Sequence, residues 1–206
     1  MNLNCMNMHS EKRKIICYGD SNTFGHDPRS FIGDRYPPDA RWTELLKSEV
    51  RDTVNLGLNG RQIPYSDAEL SAAEKQITAY LPAELVIVML GTNDLLWNSE
   101  FRAEDAAARM ETFLRRLLPV VGREKLLLLS PPAMQNGSWV EDVRLITESK
   151  RLGALYAALA AELSVAFADS ACWDIALSYD GIHLAESGHR VFADRLQSIL
   201  KNIFHA

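Results

Sequence analysis

The chain has 206 residues, 47% hydrophobic and 24% charged, which is the composition of a globular protein and excludes a disordered or fibrous one. Its 22 basic and 27 acidic residues give a net charge of −5, whereas phosphate-backbone binding requires a basic surface, so we expect no nucleic-acid partner. The three cysteines form no C-x-x-C pair and no zinc-ligand cluster with histidine, which indicates neither a disulfide framework nor a metal site.

The N-terminal residues are polar and include a cluster of charges, which predicts an extension over residues 1–13 and a single domain over residues 14–206. The apolar run at residues 15–18 is too short for the hydrophobic region of a signal peptide. The runs at residues 85–90 and 126–129 are too short to span a membrane. We therefore expect a cytoplasmic protein without a membrane partner.

Short apolar runs alternate along the chain with segments of helical periodicity. In chain order the predicted strands are residues 15–18, 53–56, 85–90, 126–129 and 165–168. The predicted helices lie near residues 42–50, 66–80, 106–117, 141–163 and 192–203, and the third should end between Pro119 and Gly122. This alternation predicts an α/β fold: a three-layer α/β/α sandwich with a five-stranded parallel sheet in the flavodoxin-like order 2-1-3-4-5. Right-handed crossovers reduce the number of strand orders but leave others open.

Small and polar residues follow the predicted strands at the points where a parallel sheet places its ligand site. In an open parallel sheet that site lies at the carboxyl ends of the strands. The segments are Gly19-Asp20-Ser21-Asn22, Gly57-Leu58-Asn59-Gly60, Gly91-Thr92-Asn93-Asp94 and, after the last strand, Asp180-Gly181-Ile182-His183. They are expected to meet at one edge of the sheet.

A hydroxyl, an imidazole and a carboxylate in these segments are the groups that acyl transfer from an ester requires. A serine hydroxyl is a weak nucleophile until a base accepts its proton, and the base works best when a carboxylate fixes its tautomer. Ser21, His183 and Asp180 fit these roles. Gly181 permits a tight turn in which the carboxylate reaches Nδ1 and Nε2 faces outward.

The oxyanion that develops during acyl transfer needs hydrogen-bond donors directed at it. In the predicted order, strands 2 and 3 flank strand 1, so the residues after them arrive on either side of Ser21. We therefore predict three oxyanion donors: the backbone amides of Ser21 and Gly57 and the side-chain amide of Asn93.

Other polar residues near these segments have simpler expected roles. Asp20 should cap the turn after strand 1, and Asp94 should be a loop residue or a helix N-cap. His26 and His189 compete with His183 for the role of base, and either also fits a surface or core histidine that a neighbour satisfies. His189 lies in the last predicted helix without a carboxylate three residues before it, so it is expected to be structural.

Six aromatic residues lie on or near loops at the predicted active edge. They are Phe24, Trp42, Trp97, Phe101, Trp139 and Trp173. Most aromatic side chains in such positions pack in the core or against loops. We predict that Trp97 and Trp173 contact substrate.

The four segments, in this order, resemble the four motif blocks of the SGNH (GDSL-like) hydrolases over about residues 14 to 204. The segments 19–25, 41–42, 57–61, 89–94 and 130–132 resemble small bacterial aryl esterases and acyltransferases. The resemblance implies a serine esterase without cofactor or metal, in which Ser21 is the nucleophile, His183 the base and Asp180 its orienting partner. It also implies Ser21, Gly57 and Asn93 as oxyanion donors. Asn22 departs from the family name, which has leucine at this point.

The sequence leaves several properties open. A noncatalytic small-ligand-binding module on the same scaffold is the alternative to an esterase for small-molecule esters, and a thioesterase or a carbohydrate deacetylase fits the same motifs. No motif decides whether water or an alcohol accepts the acyl group. The oligomeric state is also open, although relatives in this branch often form multimers, which favours a homo-oligomer.

Overall fold

The five apolar runs of the sequence form one parallel sheet. The computed structural model describes residues 12–32 and 34–205, so the predicted extension over residues 1–13 lies almost wholly outside the described residues. The strands are β1 Arg13–Gly19, β2 Arg51–Gly57, β3 Leu85–Met89, β4 Leu126–Ser130 and β5 Ala166–Asp169. All pairings are parallel and the spatial order is β2-β1-β3-β4-β5, which confirms the predicted strand order.

The register places the ends of three strands side by side. Gly19, the last residue of β1, pairs with Gly57 at the end of β2 and with Met89 at the end of β3. Because parallel strands run in the same direction, the segments that follow β1, β2 and β3 leave the sheet at a common edge.

Helices connect the strands and cover both faces of the sheet. They are α1 Ser21–Phe24, α2 Trp42–Leu45, α3 Asp67–Thr78, α4 Thr92–Trp97, α5 Ala103–Val121, α6 Val143–Leu163 and α7 Glu186–His205. Short 3-10 turns occur at Arg123–Lys125 and Ser170–Cys172. In the described part of the chain, no helix is long and apolar enough to cross a membrane.

Three helices differ from the sequence prediction. The helix predicted at residues 42–50 ends at Leu45, because the Ser48 N–H donates to the Arg51 carbonyl at 3.0 Å and closes a tight turn into β2. The helices α1 and α4 were not predicted, since four and six residues are too few to show helical periodicity. Both begin directly after a strand, in the motif segments.

Alternate residues of each strand face opposite layers, as the period of two in a strand requires. In β1, Ile16 and Tyr18 pack against the layer that contains α3, α5 and α6. Ile15 and Cys17 face the layer that contains α2 and α7. Burial also raises the pKa of the Cys17 thiol far above its ordinary value, so this cysteine is an inert core residue.

Replacing Phe113 should show how much of the stability depends on the α5 layer. This residue of α5 is fully buried, and its ring centroid lies 5.5 Å from that of Tyr18. Phe113→Ala should lower the free energy of unfolding by about 3–5 kcal/mol in urea denaturation, because a large cavity replaces the ring. The neighbouring exposed Thr112→Ala should change it by less than about 0.5 kcal/mol. Similar effects of the two substitutions would contradict this packing.

Candidate active site

The nucleophile segment is a single helical turn at the end of β1. Asp20 caps this turn as expected, since its carboxylate accepts a hydrogen bond from the Asn22 N–H at 2.9 Å. Gly25 ends α1 with a φ of +87°, a conformation that glycine adopts without steric cost. The turn therefore holds Ser21 at the carboxyl edge of the sheet.

The structure brings together the three residues predicted for nucleophilic catalysis. The Ser21 hydroxyl lies 3.0 Å from His183 Nε2, and His183 Nδ1 lies 2.6 Å from Asp180 Oδ2. All three side chains are buried, although 162 residues separate the serine from the histidine. The distances allow the hydroxyl to donate to Nε2 while Nδ1–H donates to the carboxylate.

Hydrogen bonds keep Asp180 ionised despite its burial. Burial alone would raise the pKa of this carboxyl, but hydrogen bonds from the His183 ring and from the backbone N–H groups of His183 and Ile182 outweigh it and lower the pKa. Gly181 makes the tight turn, with a φ of +79°. A Cβ atom there would lie 2.2 Å from the Gln135 carbonyl oxygen, so the turn requires glycine.

The two competing histidines have different environments. His189 is buried in α7, where it accepts a hydrogen bond from the Trp42 N–H at 3.4 Å, and burial lowers its pKa to about 3. It is the structural histidine that the sequence indicated. His26 differs from the expectation of a satisfied surface or core residue: its ring centroid lies 4.6 Å from that of His183, and its buried Nδ1 has no hydrogen-bond partner among the described residues. Burial lowers the pKa of His26, which favours the neutral form of its imidazole.

A cavity of about 640 Å³ opens beside Ser21. Its walls are formed by Ser21, His26, Asn59, Gly60, Asn93, Leu96, Trp97, Ser138, Trp139, Ile182 and His183. Trp97, which the sequence predicts to contact substrate, lies in this wall, and 69% of its surface is exposed. Trp139 lies opposite the base, with ring centroids 5.9 Å apart, although the sequence did not distinguish it from the other loop aromatics.

The prediction for Trp173 is wrong. Trp173 is not among the residues that line the cavity, and its indole packs against Phe192 of α7 with ring centroids 5.2 Å apart. The 3-10 turn Ser170–Cys172 after β5 directs the chain toward the α7 layer. The sequence prediction for Trp173 depended on its position after a predicted strand. The direction that the chain takes after that strand depends on the 3-10 turn.

Asn93 and Ser21, two of the predicted oxyanion donors, have N–H groups that remain without an acceptor among the described residues. Asn93 lies in α4, and its Nδ2 donates one hydrogen to the Arg61 carbonyl at 3.0 Å, which leaves the second hydrogen of the amide group. Asn93 and Ser21 both line the cavity. Within residues 12–32 and 34–205, no acceptor bonds the Ser21 N–H.

The prediction that Gly57 donates to the oxyanion is wrong. The Gly57 N–H donates to the Asn55 side chain at 2.8 Å, and Gly57 does not line the cavity. Glycine is required there because a Cβ atom would lie 2.1 Å from the Phe24 nitrogen, where α1 crosses the end of β2. Gly60, three residues later, does line the cavity, and no residue in the described ranges accepts a hydrogen bond from its N–H. The segment at residues 57–60 contains both glycines, and their spacing alone does not show which of the two N–H groups is already hydrogen-bonded.

Arg61 joins residues 57–60, which contain the predicted oxyanion donor after β2 and are called the oxyanion segment, to the strand ends. The sequence did not reveal this role. Its guanidinium donates to the carbonyl oxygens of Gly19, at 3.0 Å, and of Leu56. The guanidinium carbon also lies 4.1 Å from the centre of the Tyr18 ring. These contacts fix the end of β1, two residues before Ser21, against the end of β2.

Asp94 is not the loop residue or N-cap that the sequence suggested. It lies inside α4, where its carboxylate accepts hydrogen bonds from the Ile63 N–H and from Arg109, both at 3.0 Å. Burial raises its pKa to about 6 although these hydrogen bonds oppose the shift. Asp94 therefore attaches the helix of Asn93 to the segment after β2.

The fold and this site define the class of protein. A parallel α/β sheet with a serine, a histidine and an aspartate in hydrogen-bond contact at its carboxyl edge is an arrangement that serine hydrolases use. Among the residues that the structure describes, no group of three or more His, Cys, Asp and Glu could hold a metal ion. Residues 17–191 match the GDSL-like lipase/acylhydrolase family, and the chain belongs to that family. It is therefore an ester-hydrolysing enzyme.

Solved structures support this assignment over nearly the whole chain. The aryl esterase of M. smegmatis has a TM-score of 0.80 at 25% identity, and a candidate arylesterase from Agrobacterium tumefaciens str. C58 has 0.80 at 30%; each comparison covers 93% of this chain and 99% of the other. A carbohydrate acetylesterase from Sinorhizobium meliloti has 0.79 at 25%, covering 93% and 100%. No curated protein matches the sequence. These similarities support an esterase and do not favour a noncatalytic binding module.

The low pKa of His189 predicts an acid-sensitive stability. Between its ordinary pKa of 6.5 and about 3, the unfolded chain binds a proton on this imidazole and the folded protein does not, so the free energy of unfolding falls as the pH is lowered. His189→Gln should remove up to about 1.4 kcal/mol per pH unit of this dependence in urea denaturation at pH about 4.5 to 6.5.

Two carboxylates act in the opposite direction. Burial raises the pKa of Asp20 and of Asp94 to about 6, so the folded state binds their protons first and these groups favour folding as the pH falls through that value. They are the same in both proteins, so they cancel in the difference between wild type and His189→Gln. Parallel pH profiles for the two proteins would show that His189 does not titrate as described.

Proposed function

We propose that the protein hydrolyses small carboxylic esters through an acyl-enzyme on Ser21. The observation that supports this most directly is the 3.0 Å contact between the Ser21 hydroxyl and His183 Nε2, with Asp180 on the opposite nitrogen. As Oγ attacks the ester carbonyl carbon, Nε2 accepts the hydroxyl proton. When the tetrahedral intermediate collapses, the ester C–O bond breaks and Nε2 returns the proton to the departing alcohol. A water molecule then attacks the acyl carbon while Nε2 accepts a proton from it. The bond between the acyl carbon and Oγ breaks, and Nε2 returns the proton to Ser21.

Asp180 maintains the base in the required form. Its ionised carboxylate accepts a hydrogen bond from Nδ1–H, which leaves Nε2 as the proton acceptor, and it stabilises the imidazolium that forms at each proton transfer. The low pKa of Asp180 supports this role, because a protonated carboxyl would not stabilise the cation.

The oxyanion donors that we propose are the backbone amides of Ser21 and Gly60 and the side-chain amide of Asn93. All three residues line the same cavity. In this proposal the three N–H groups stabilise the charge that develops on the carbonyl oxygen.

The cavity walls suggest the kind of ester. Leu96, Trp97, Trp139 and Ile182 form an apolar surface beside the nucleophile, which favours an apolar or aromatic group on the substrate. The similarity to aryl esterases supports aryl esters in particular. The same apolar walls favour an alcohol over water next to the acyl-enzyme, so acyl transfer to alcohols is a second outcome that we propose.

Substitutions of the nucleophile and the base test the proposed function. Ser21→Ala and His183→Ala should each lower kcat for a short-chain aryl ester by on the order of 10⁴- to 10⁶-fold, because the two groups act as one unit. The double variant should be little worse than either. Multiplicative losses in the double variant, or turnover in Ser21→Ala, would contradict the mechanism.

Substitution of Asn93 tests the oxyanion site. Asn93→Ala should lower kcat by roughly 10²- to 10³-fold with a much smaller change in KM, because the lost donor acts on the transition state. Asn93→Asp should be at least as harmful, since a carboxylate places negative charge beside the oxyanion. Gln62→Ala is the matched control: its amide donates to the Asn93 carbonyl at 3.3 Å but does not line the cavity. A stable Asn93→Ala enzyme with nearly full activity would remove Asn93 from the site.

A further inference from the structure

Asn22, directly after the nucleophile, is hydrogen-bonded to the segment that carries the base. Its side chain is buried, with 3% of the residue exposed. Nδ2 donates to the Ile182 carbonyl at 3.1 Å, and Oδ1 accepts from the Leu184 N–H at 2.8 Å. One asparagine side chain thus bonds the residues on both sides of His183.

These two hydrogen bonds connect parts of the chain that are far apart in sequence. The turn at residues 180–184 is held internally by the Asp180 carboxylate, which accepts from the Ile182 and His183 N–H groups. Between residues 21–24 and 180–184, the described hydrogen bonds are the two from Asn22 and the Ser21–His183 contact itself. The internal bonds orient the imidazole within its turn, and the Asn22 bonds set the position of that turn relative to the nucleophile.

We propose that Asn22 is a positioning residue that holds His183 at hydrogen-bond distance from Ser21. The amide group of asparagine has both a donor and an acceptor, so it can bond a carbonyl and an N–H at once. Leucine, the residue in the family name, has neither, and would leave the buried Ile182 carbonyl and Leu184 N–H without these partners. The inference rests on the proposed function, because it assigns Asn22 to the positioning of the base.

Asn22→Leu keeps the branching of the side chain, removes its polar atoms and tests the proposal directly. It should lower kcat for an aryl ester by up to about 100-fold with little change in KM, because small displacements of a catalytic group from its reacting partner reduce the rate this strongly. The rate at which an organophosphonate inactivates the enzyme should fall in parallel, since that reaction also needs an activated Ser21. Asn22→Leu with wild-type kcat would overturn the proposal.

A double-mutant cycle separates positioning of the base from general destabilisation. Asn22→Leu added to His183→Ala should cause no further loss of kcat, because the group that it positions is already absent. Added to Asn93→Ala, it should lower kcat by the same factor as in the wild type. A further loss in the His183→Ala protein equal to that in the wild type would overturn the proposal, because a structural defect would act in both backgrounds.

Asn55→Leu is the matched control for the substitution itself. Asn55 is another asparagine bonded to α1, since it donates to the Thr23 carbonyl at 2.8 Å, but it does not bond the turn of the base. Asn55→Leu should lower the melting temperature and reduce kcat much less than Asn22→Leu. Equal losses of kcat would contradict a specific role for Asn22.

Two further results keep the test decisive. If Asn22→Leu does not fold, Asn22→Asp is the variant to measure. It keeps the acceptor for the Leu184 N–H but places a carboxylate oxygen against the Ile182 carbonyl, so kcat should still fall. Wild-type kcat in Asn22→Asp would overturn the proposal. If His183→Ala retains turnover, the proposed function fails. Loss of turnover in His183→Ala with wild-type kcat in Asn22→Leu overturns only the role of Asn22.

Discussion

The position of β1 between β2 and β3 is the constraint on which the active site depends. The parallel register ends all three strands together at Gly19, Gly57 and Met89. The serine turn, the oxyanion segment and the helix of Asn93 therefore leave the sheet as neighbours. A slip of one residue in this pairing would exchange the two faces of β1, so that Ile16 and Tyr18 would face the layer of α2 and α7 instead of the layer of α3, α5 and α6. The packing of both faces therefore also fixes the place of Ser21.

Side chains that bond to main-chain atoms fix the positions of the segments at this common edge relative to one another. Arg61 fixes the strand ends beneath the oxyanion segment, and Asn22 bonds the turn that carries His183. Both are buried or partly buried, where a satisfied polar group is stabilising and an unsatisfied one is costly. The main-chain groups of these loops therefore depend on Asn22 and Arg61 as their hydrogen-bond partners.

Three aspartates near the site show how environment assigns different roles to one residue type. Asp180 accepts bonds from an imidazole and two backbone N–H groups, and its pKa is lowered. Burial raises the pKa of Asp20 and Asp94 to about 6, because their hydrogen bonds do not compensate the loss of water. Only Asp180 both bonds the His183 ring and is stabilised as an anion. Asp20, which caps α1, and Asp94, which pairs with Arg109, have structural roles although they also lie near Ser21.

The sequence by itself determined the strands and the longer helices, because apolar periodicity is a local property. It also predicted that Ser21, Asp180, His183 and Asn93 lie at one edge of the sheet, since each lies in a segment that follows a strand or within one tight turn. Only the tertiary structure shows that the Gly57 N–H donates to the Asn55 side chain, because this contact does not follow from the spacing of the two glycines.

Tertiary structure likewise decided the place of the aromatic and polar residues around the site. Trp173 packs on α7, His26 faces His183, and Asn22 reaches a segment 160 residues away. None of these contacts leaves a periodic signal, since each joins side chains from separate elements. The order of residues along the chain determined which strands and helices form, whereas the packing of those elements against one another decided which side chains are in contact.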